Sequence, residues 1–405
     1  MTNPSPPPDQ TPGHGPTLIA SFIHFDFSFM LWVLLGALGI YITESLGLNT
    51  AQKAMVVAAP ILSGSLLRLP LGLLSDRIGA KRVGTAMLAF LFLPLTFGWL
   101  AGGSLPALLA VGLMLGTAGA SFAVALPLAS RWYPPSRQGL VMGIAAAGNS
   151  GTAITNLLAP RLAEQMGWHN VLGCSMLPLA VVLAAFVLMA RDNPSQVKRQ
   201  PVRTYLLVLK QSDLWWFCLF YSVTFGGYVG LCSFLPLFFR DQYQVTPITA
   251  GYLTAVAALS GSLVRPLGGY LADRLGGVRM LSVLLALIGA AYFLIAQLPS
   301  LRFAAVMIAG GMVCLGMGNG AVFQIVPQRF RHEIGVASGM VGAAGGIGGF
   351  LLPNLLGQIK YASGSYRAGF LTLAVIASAA TALLRLLVVV RQGWRFSWNL
   401  SQPAE

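Results

Sequence analysis

The sequence predicts an all-α membrane protein with twelve transmembrane helices, arranged as two six-helix halves. Of the 405 residues, 56% are hydrophobic and 9% are charged, whereas soluble domains carry about 25% charged residues. This small number of polar side chains cannot cover a water-exposed surface. We therefore expect the chain to lie in a bilayer. Twelve apolar stretches are long enough to cross about 30 Å of hydrocarbon: 17–43, 52–75, 83–102, 106–130, 139–164, 168–190, 211–238, 248–272, 280–298, 302–328, 335–359 and 367–390.

Two internal repeats predict the division into halves. "SGSLLRLPLGLLSDRIGAKR" (Ser63–Arg82) returns as "SGSLVRPLGGYLADRLGGVR" (Ser260–Arg279), in the second and eighth segments. "GIAAAGNSGTAITNLLAP" (Gly143–Pro160) has a Gly/Ala-rich counterpart, "GMVGAAGGIGGFLLPNLLG" (Gly339–Gly357), in the fifth and eleventh. Parallel repeats of six helices are typical of secondary transporters whose halves move about a central site. We therefore expect pseudo-twofold symmetry.

The expected domain organisation follows from these repeats and from composition. A Pro-rich tail at 1–16 should be disordered. The first six-helix bundle covers 17–190, and a polar, basic linker at 191–210 connects it to the second bundle at 211–391. A second tail follows at 392–405.

The basic residues predict the topology. The net charge is +14, but the lysines and arginines cluster on the side of the chain termini, which is the positive-inside pattern. Apart from Arg68 and Arg265, the exceptions are Lys53, Arg161, Arg240, Arg302, Lys360 and Arg367. We therefore expect a multi-pass protein of a bacterial cytoplasmic (inner) membrane, with both termini cytoplasmic, a monomeric state and no nucleic-acid partner.

Arg68 and Arg265 are unusual because each lies inside an apolar segment. Each precedes the aspartate of its repeat, Asp76 or Asp273, by eight positions. At 1.5 Å per helical residue, each arginine lies about 12 Å from the cytoplasmic helix end. A charge at this depth costs a few kcal/mol and normally faces a functional cavity.

The sequence offers these two arginines no obvious counter-ion. Of the eleven acidic residues, all but Asp26 fall at helix ends, in loops or in tails. The simplest source of negative charge is therefore a bound substrate. The planar donor fork of arginine suits a flat oxyanion such as nitrate, nitrite or a carboxylate.

Several other residues are candidates for lining this site, although aromatic side chains in membrane helices also pack without any ligand. Tyr221 and Phe225 are four residues apart, on one helix face. The remaining candidates are Phe122 in the fourth segment, Phe25 and Phe29 in the first, and Asn149 in the fifth. Gly148, Gly151, Gly345 and Gly348 would let the backbone approach a small substrate or a neighbouring helix closely.

Cysteine and histidine are scattered singly along the chain, so we expect no metal site. The glycine-rich stretches follow no strand and lack a Gly-Lys-Ser/Thr sequence, which argues against a nucleotide cofactor. We expect no cofactor and no enzymatic activity.

The loops "GLLSDRIGAKR" and "GYLADRLGGVR" resemble the signature loop of the major facilitator superfamily. This resemblance implies that Asp76, Arg77, Asp273 and Arg274 are conformational latches between helices on the cytoplasmic face. If these four residues instead form turns and cap helices, they could still act as latches.

Three further stretches, "GNSG", "GAAGGIGGFLLP" and "GMGNGAVFQIVPQRF", resemble the nitrate/nitrite porters of this superfamily. The resemblance implies that Arg68 and Arg265 hold the anion and that Tyr221, Phe225, Phe122 and Asn149 surround it. Phe25 and Phe29 both fit the family's aromatic position in the first helix. The short "RFRHEIG" connection resembles the assimilatory bacterial branch.

The mode of coupling stays open at this level. An empty pocket with two positive charges should resist closure, which favours exchange of one anion for another. Proton symport would require a titratable group at the site, for which Asp26 and His24 are the candidates. The alternatives are a carrier of a small organic anion, such as formate or oxalate, and a nitrate sensor that does not transport.

Overall fold

The computed structural model describes residues 13–133, 141, 144–145, 147–193, 207–330 and 334–396. Within these ranges the chain is mostly helical and contains no strand, which confirms the all-α prediction for this part of the protein. Most of each of the expected tails, 1–16 and 392–405, and of the expected linker, 191–210, lies outside the described residues.

The helices fall into two groups along the chain. Those before the gap at 194–206 are α1 (Gly15–Trp32), α2 (Leu34–Ala37), α3 (Gly39–Leu46), α4 (Thr50–Ile78), α5 (Ala80–Ala101), α6 (Leu105–Leu115), α7 (Phe122–Ser130), α8 (Gly151–Met166), α9 (Trp168–Cys174) and α10 (Met176–Met189). Those after it are α11 (Ser212–Tyr243), α12 (Pro247–Leu263), α13 (Arg265–Leu275), α14 (Gly277–Ala296), α15 (Leu301–Arg329), α16 (Ile334–Ser363), α17 (Arg367–Val390) and α18 (Gln392–Phe396).

Ten helical spans within the described residues are long and apolar enough to cross a membrane, and three of them join two successive helices, α6 with α7, α9 with α10 and α12 with α13. The first and fifth predicted segments are not among the ten: the first is divided at Val33 and Leu38 into α1, α2 and α3, and the helix described in the fifth, α8, has 16 residues. The interruption of the first segment lies where the chain passes very close to α11. A Cβ atom at Gly36 would lie 2.6 Å from the Ser233 carbonyl oxygen.

The two copies of the twenty-residue repeat end in the same way. The helix of the first copy, α4, ends at Gly79 with φ 101°, and that of the second copy, α13, ends at Gly276 with φ 93°. Such backbone angles strain any residue with a Cβ atom, which explains the glycine at both positions.

The copies differ at the buried arginine. Arg68 lies inside the continuous helix α4, whereas a break at Val264 separates α12 from α13, which Arg265 begins. In the second copy a proline, Pro266, directly follows the arginine. Pro266 has no backbone N–H to donate at this break, but proline alone does not account for it, because Pro60 and Pro70 lie inside the continuous helix α4.

The 3-10 turn Gly116–Ser121 joins α6 to α7, and a second turn, Ala147–Ser150, precedes α8. Helix α16 lies between α11 and α4 and packs extensively against both. Helix α8 packs in turn against α12. Helices from the first and second halves of the chain therefore meet along a shared interface, and this interface contains the buried arginines.

Glycine permits close backbone contact between these helices. A Cβ atom at Gly226 of α11 would lie 2.7 Å from both the Gly348 carbonyl carbon and the Gly349 nitrogen of α16. Backbone atoms cannot move aside as a flexible side chain can. The close packing of α11 on α16 therefore requires glycine at this position.

We predict that Gly226→Ala destabilises the protein by about 1–3 kcal/mol, the usual cost of overpacking a filled interior. Gly310→Ala is the matched control, because a Cβ atom at Gly310 of α15 meets nothing within 4 Å. Thermal unfolding in detergent should show a lower midpoint for the first variant and an unchanged or higher one for the second. Equal midpoints would contradict this account of the contact.

Candidate functional site

Arg68 is buried, with 1% of its surface exposed. Its Nε donates to the Gly119 carbonyl oxygen at 3.1 Å, and its Nη1 donates to the Gly342 carbonyl oxygen at 2.5 Å. Gly119 belongs to the 3-10 turn after α6, and Gly342 belongs to α16. Its Nη2 has no hydrogen-bond partner among the described residues. The guanidinium is thus fixed by neutral acceptors and keeps a free donor.

Three aromatic rings surround the Arg68 guanidinium. Its central carbon lies 5.3 Å from the ring centroid of Trp32, 5.4 Å from that of Phe122 and 4.9 Å from that of Phe225. The negative face of an aromatic ring attracts a cation at these distances. The rings offset part of the desolvation cost of the buried charge while leaving its hydrogen-bond donors in place.

Arg265 approaches the same aromatic cluster from α13, with 9% of its surface exposed. Its Nη2 donates to the Tyr221 hydroxyl at 3.4 Å, and no described residue is a hydrogen-bond partner of its Nη1. Its central carbon lies 6.0 Å from the centroids of both Phe122 and Phe323. Phe122 therefore lies beside both buried arginines.

Tyr221 and Phe225 form a flat wall of this cluster. Their rings are stacked 5.0 Å apart with an interplanar angle of 3°. Phe323 packs edge-on against Tyr221 at 4.9 Å and against Phe122 at 5.8 Å. The wall leaves little freedom for either arginine to change position independently.

Carboxylates do not neutralise these arginines within the described part of the chain. The ion pairs formed there join Lys53, Arg131, Arg240, Arg329 and Arg391 to Asp76, Asp213, Asp241 and Glu44. Arg68 and Arg265 thus retain two positive charges and one unpartnered nitrogen each. A small oxyanion is chemically suited to accept hydrogen bonds from both.

Phe25 and Phe29 occupy neighbouring positions behind the cluster. Phe25 lies 6.0 Å from Phe122 and 4.4 Å from Phe29, which in turn lies 5.0 Å from Trp32. Both rings therefore support rings that face Arg68. Asn149 is buried in the Ala147–Ser150 turn, which packs against α12, and its Oδ1 accepts no hydrogen bond from the part of the chain that the structure describes.

The four candidate glycines provide close helix contacts. A Cβ atom at Gly345 would lie 2.4 Å from the Tyr221 ring, and one at Gly348 would lie 2.5 Å from the Ser222 carbonyl oxygen. A Cβ atom at Gly148 would lie 2.8 Å from the Phe25 ring and 2.9 Å from the Asp26 nitrogen, and one at Gly151 would lie 2.1 Å from the Asp26 carbonyl oxygen. Gly345 and Gly148 thus contact candidate site side chains, and Gly148, Gly151 and Gly348 bring helix backbones together.

The two candidates for proton coupling lie in different surroundings. The Nε2 atom of His24 is 3.2 Å from the Gly84 carbonyl oxygen, and its ring packs on Phe186. His24 therefore faces α5 and α10. Asp26 accepts a hydrogen bond from the Ser150 hydroxyl at 2.7 Å. Ser150 directly follows Asn149 in the sequence.

Two aromatic neighbours of the arginines, Trp32 and Phe323, are not among the residues selected from the sequence. Trp32 is fixed by a hydrogen bond from its Nε1 to the Pro60 carbonyl oxygen at 2.7 Å. The spacing of Phe25, Phe29 and Trp32 on one helical face is a signal that could have identified it. Phe323 has no such signal, because the other aromatic residue of its glycine-rich helix, Phe303, lies twenty positions away.

Comparison with known proteins shows the family of this chain. A family profile described as Major Facilitator Superfamily matches residues 20–353. The chain belongs to the major facilitator superfamily. A solved structure of a bacterial homologue of the human lysosomal transporter Spinster shares the fold, with a TM-score of 0.74 at 19% identity. The match covers 96% of this facilitator and 98% of that chain.

Curated relatives of this facilitator carry names that refer to nitrate or nitrite. The "Nitrite extrusion protein" of Bacillus subtilis is 35% identical over 88% of this chain and 90% of its own length. The "Probable nitrate transporter NarT" of Staphylococcus haemolyticus is 30% identical over 86% and 90%, respectively. The "Probable nitrate/nitrite antiporter NarK1" of Thermus thermophilus is 31% identical over 91% and 90%.

The signature loops of this facilitator differ between the two repeats. In the first, Asp76 forms an ion pair with Arg131 at the end of α7, and Arg77 is exposed. In the second, Asp273 and Arg274 are exposed, and neither forms an ion pair with a described residue. Arg274 lies instead 4.5 Å from the ring centroid of Tyr270 on its own helix.

In the second half of the chain, the described ion pairs at this end lie outside the signature loop. Arg329, at the end of α15, lies 3.9 Å from Asp213, which also accepts hydrogen bonds from Arg391 and from the Trp394 indole. Trp394 is buried against Phe217. The short helix α18 therefore fixes Asp213 and Arg329 at this end of the bundle, while Asp273 stays exposed.

We predict that Asp76→Asn lowers the stability of this facilitator by about 1 kcal/mol, the scale of a partly exposed ion pair. Asp273→Asn, the matched change in the second repeat, should leave stability unchanged. The midpoints of thermal unfolding in detergent test this asymmetry. Equal losses in the two variants would contradict it.

Proposed function

We propose that this facilitator transports nitrate and nitrite across the bacterial cytoplasmic membrane, with the anion held between Arg68 and Arg265. The observation that carries the proposal is the pair of buried arginines beside one ring, Phe122, without a carboxylate partner among the described residues. The names of the curated relatives support nitrate and nitrite as the oxyanions. Because the superfamily members to which it is related are transporters, we assign it no enzymatic activity.

Flat oxyanions fit the chemistry of this site. Each guanidinium offers an unpartnered Nη to an oxygen acceptor, and the stacked rings of Tyr221 and Phe225 provide a planar surface. Asn149 and Phe122 would complete the lining, with Phe25 and Phe29 behind them. Binding of an anion relieves the repulsion between the two positive charges, so it favours closure of the protein around the substrate.

The proposed architecture has twelve transmembrane helices in two halves, 17–190 and 211–391, related by the internal repeats. The ten apolar spans described above supply most of these transmembrane helices. Helices α1 to α3 together form the first span in this arrangement, and α8 forms the end of the fifth. The basic linker and the charge pattern favour cytoplasmic termini. The proposed protein is a monomer.

Alternating access would move these halves against each other. In the proposed topology, Lys53–Asp241 and Arg240–Glu44 join the halves at the outer end. Within the described residues, the ion pairs at the other end each lie inside one half. This distribution supports a conformation closed toward the outside, in which Arg68 also bonds across the halves to Gly342.

We predict that Arg68→Lys and Arg265→Lys each reduce nitrate uptake into proteoliposomes by about 100-fold. An ammonium group cannot reproduce the guanidinium fork, and losing a charge-assisted hydrogen bond costs about 3 kcal/mol. Arg302→Lys is the control, because Arg302 is exposed near the start of α15. Wild-type uptake in either site variant, with normal insertion, would refute the assignment.

Exchange of one anion for another is the coupling mode that we propose, because the empty site carries two unneutralised charges. We expect rapid nitrate uptake into proteoliposomes preloaded with nitrite, and at most one-tenth of that rate into anion-free vesicles. Uptake into anion-free vesicles that rises with an inward proton gradient would instead indicate proton symport. Asp26→Asn and His24→Gln would then identify the coupling residue.

The same vesicles separate the alternatives. A carrier of small organic anions would be inhibited by formate or oxalate more strongly than by nitrite. A sensor would bind nitrate without any flux.

A further inference from the structure

Three polar side chains, Thr152, Asn156 and Tyr228, form a buried group that we call the outer polar cluster. Their exposed fractions are 0%, 0% and 1%. Thr152 and Asn156 belong to α8, whereas Tyr228 belongs to α11. The cluster therefore lies in the interface between the two proposed halves, apart from the aromatic residues around the arginines.

Hydrogen bonds within the cluster connect three helices. The Tyr228 hydroxyl lies 3.2 Å from the Thr152 hydroxyl and donates to the Ala258 carbonyl oxygen of α12 at 3.0 Å. The Asn156 Nδ2 donates to the Thr152 carbonyl oxygen at 2.8 Å and to that of Cys232 at 3.4 Å. The Asn156 Oδ1 is buried and has no hydrogen-bond partner within the described ranges.

The cluster follows directly on the proposed anion site. Tyr228 comes three residues after Phe225 and seven after Tyr221, so the three rings share one face of α11. Seven helical residues correspond to about 10 Å along the axis. Thr152 likewise follows Asn149 by one turn. In the proposed topology, the direction from the arginines to the cluster is outward.

Beyond the cluster lies a cavity of about 210 Å³ lined by Thr43, Glu44, Lys53, Arg240 and Asp241, among others. This cavity contains the ion pairs that join the halves at the outer end. The arginines, the polar cluster and the cavity thus follow one another along the closed outer part of the interface.

The burial of these polar side chains between membrane helices requires a physical explanation. Hydroxyl and amide groups within a membrane protein normally face the bundle interior or a hydrated cavity. Threonine, tyrosine and asparagine side chains also supply the N–H and O–H donors that an oxyanion accepts. A passage that opens to water would use these donors. In an interface that never opens, the unsatisfied Asn156 oxygen would contribute no stabilisation.

We propose that Thr152, Asn156 and Tyr228 line the passage between the outer face and the arginine site. When the halves separate, these side chains donate hydrogen bonds to the entering anion; when the halves close, they bond to one another and close the passage. The inference rests on the proposed function, since it assumes nitrate or nitrite as the substrate. The cluster is neutral, so the anion passes it without being trapped.

The test compares nitrate uptake from the two sides of the membrane in the Thr152→Val/Tyr228→Phe variant. We expect the half-saturating nitrate concentration to rise about tenfold in right-side-out vesicles, the effect of one lost hydrogen bond of ordinary strength. In inside-out vesicles, where nitrate enters from the cytoplasmic side, it should change less than twofold. Thr254→Val/Tyr292→Phe is the matched control, because both residues are buried and lie outside the cluster.

Equal changes from the two sides, with normal wild-type uptake, would overturn the passage and leave the proposed function intact. A wild-type protein that takes up no nitrate from either side would overturn both.

Native cysteines on α11 provide a second test that leaves the cluster unchanged. Cys232 and Cys218 are both buried on this helix, on opposite sides of Tyr221 along its axis. Each is retained as the single cysteine, with the other three replaced by alanine. A membrane-impermeant methanethiosulfonate, added outside vesicles that are exchanging nitrate, should label the Cys232 protein and spare the Cys218 protein. Failure to label Cys232 during active exchange would overturn the proposal.

Discussion

Two guanidinium groups beside one phenylalanine ring impose the strongest constraint on this structure. Arg68 and Arg265 carry like charges in a buried interface, and the described carboxylates do not neutralise either one. The protein holds them instead with carbonyl oxygens, a tyrosine hydroxyl and aromatic faces. These groups are neutral, so they orient the arginines without cancelling the charge that attracts an anion.

The backbone irregularities of the fold occur where this arrangement needs them. The 3-10 turn at Gly116–Ser121 carries the Gly119 carbonyl that accepts from Arg68. The break at Val264 lets Arg265 begin a new helix. Irregular backbone within a membrane is tolerated only where it is buried in protein or lines a cavity, because its polar groups need partners. The glycine contacts between α11 and α16 hold the Tyr221 wall against this region.

The repeats of the sequence do not produce identical environments. The loop of the first repeat forms the Asp76–Arg131 ion pair, whereas Arg329 in the second half lies near Asp213, beside the buried Trp394. Similar sequences thus acquire different partners, because the helices around them differ. The asymmetry is consistent with two halves that contribute unequally to stability at the cytoplasmic ends.

The all-α membrane fold and the family follow from the sequence alone, because composition, apolar segment length and repeated loops are local properties. The sequence also selected Arg68, Arg265, Tyr221, Phe225 and Phe122, since a charge in an apolar run and an i, i+4 aromatic pair are visible without coordinates. Their role in anion binding stays a prediction. The placement of Asn149, Asp26 and His24 could not be read in this way.

Which side chains face one another depends on the tertiary structure. Trp32 and Phe323 became neighbours of the arginines, Phe25 and Phe29 took supporting positions, and His24 turned toward α5 and α10. These contacts depend on how helices distant in sequence cross and rotate. Such crossings are fixed by close backbone packing, as at Gly226 and Gly348, and no local pattern of residues encodes them.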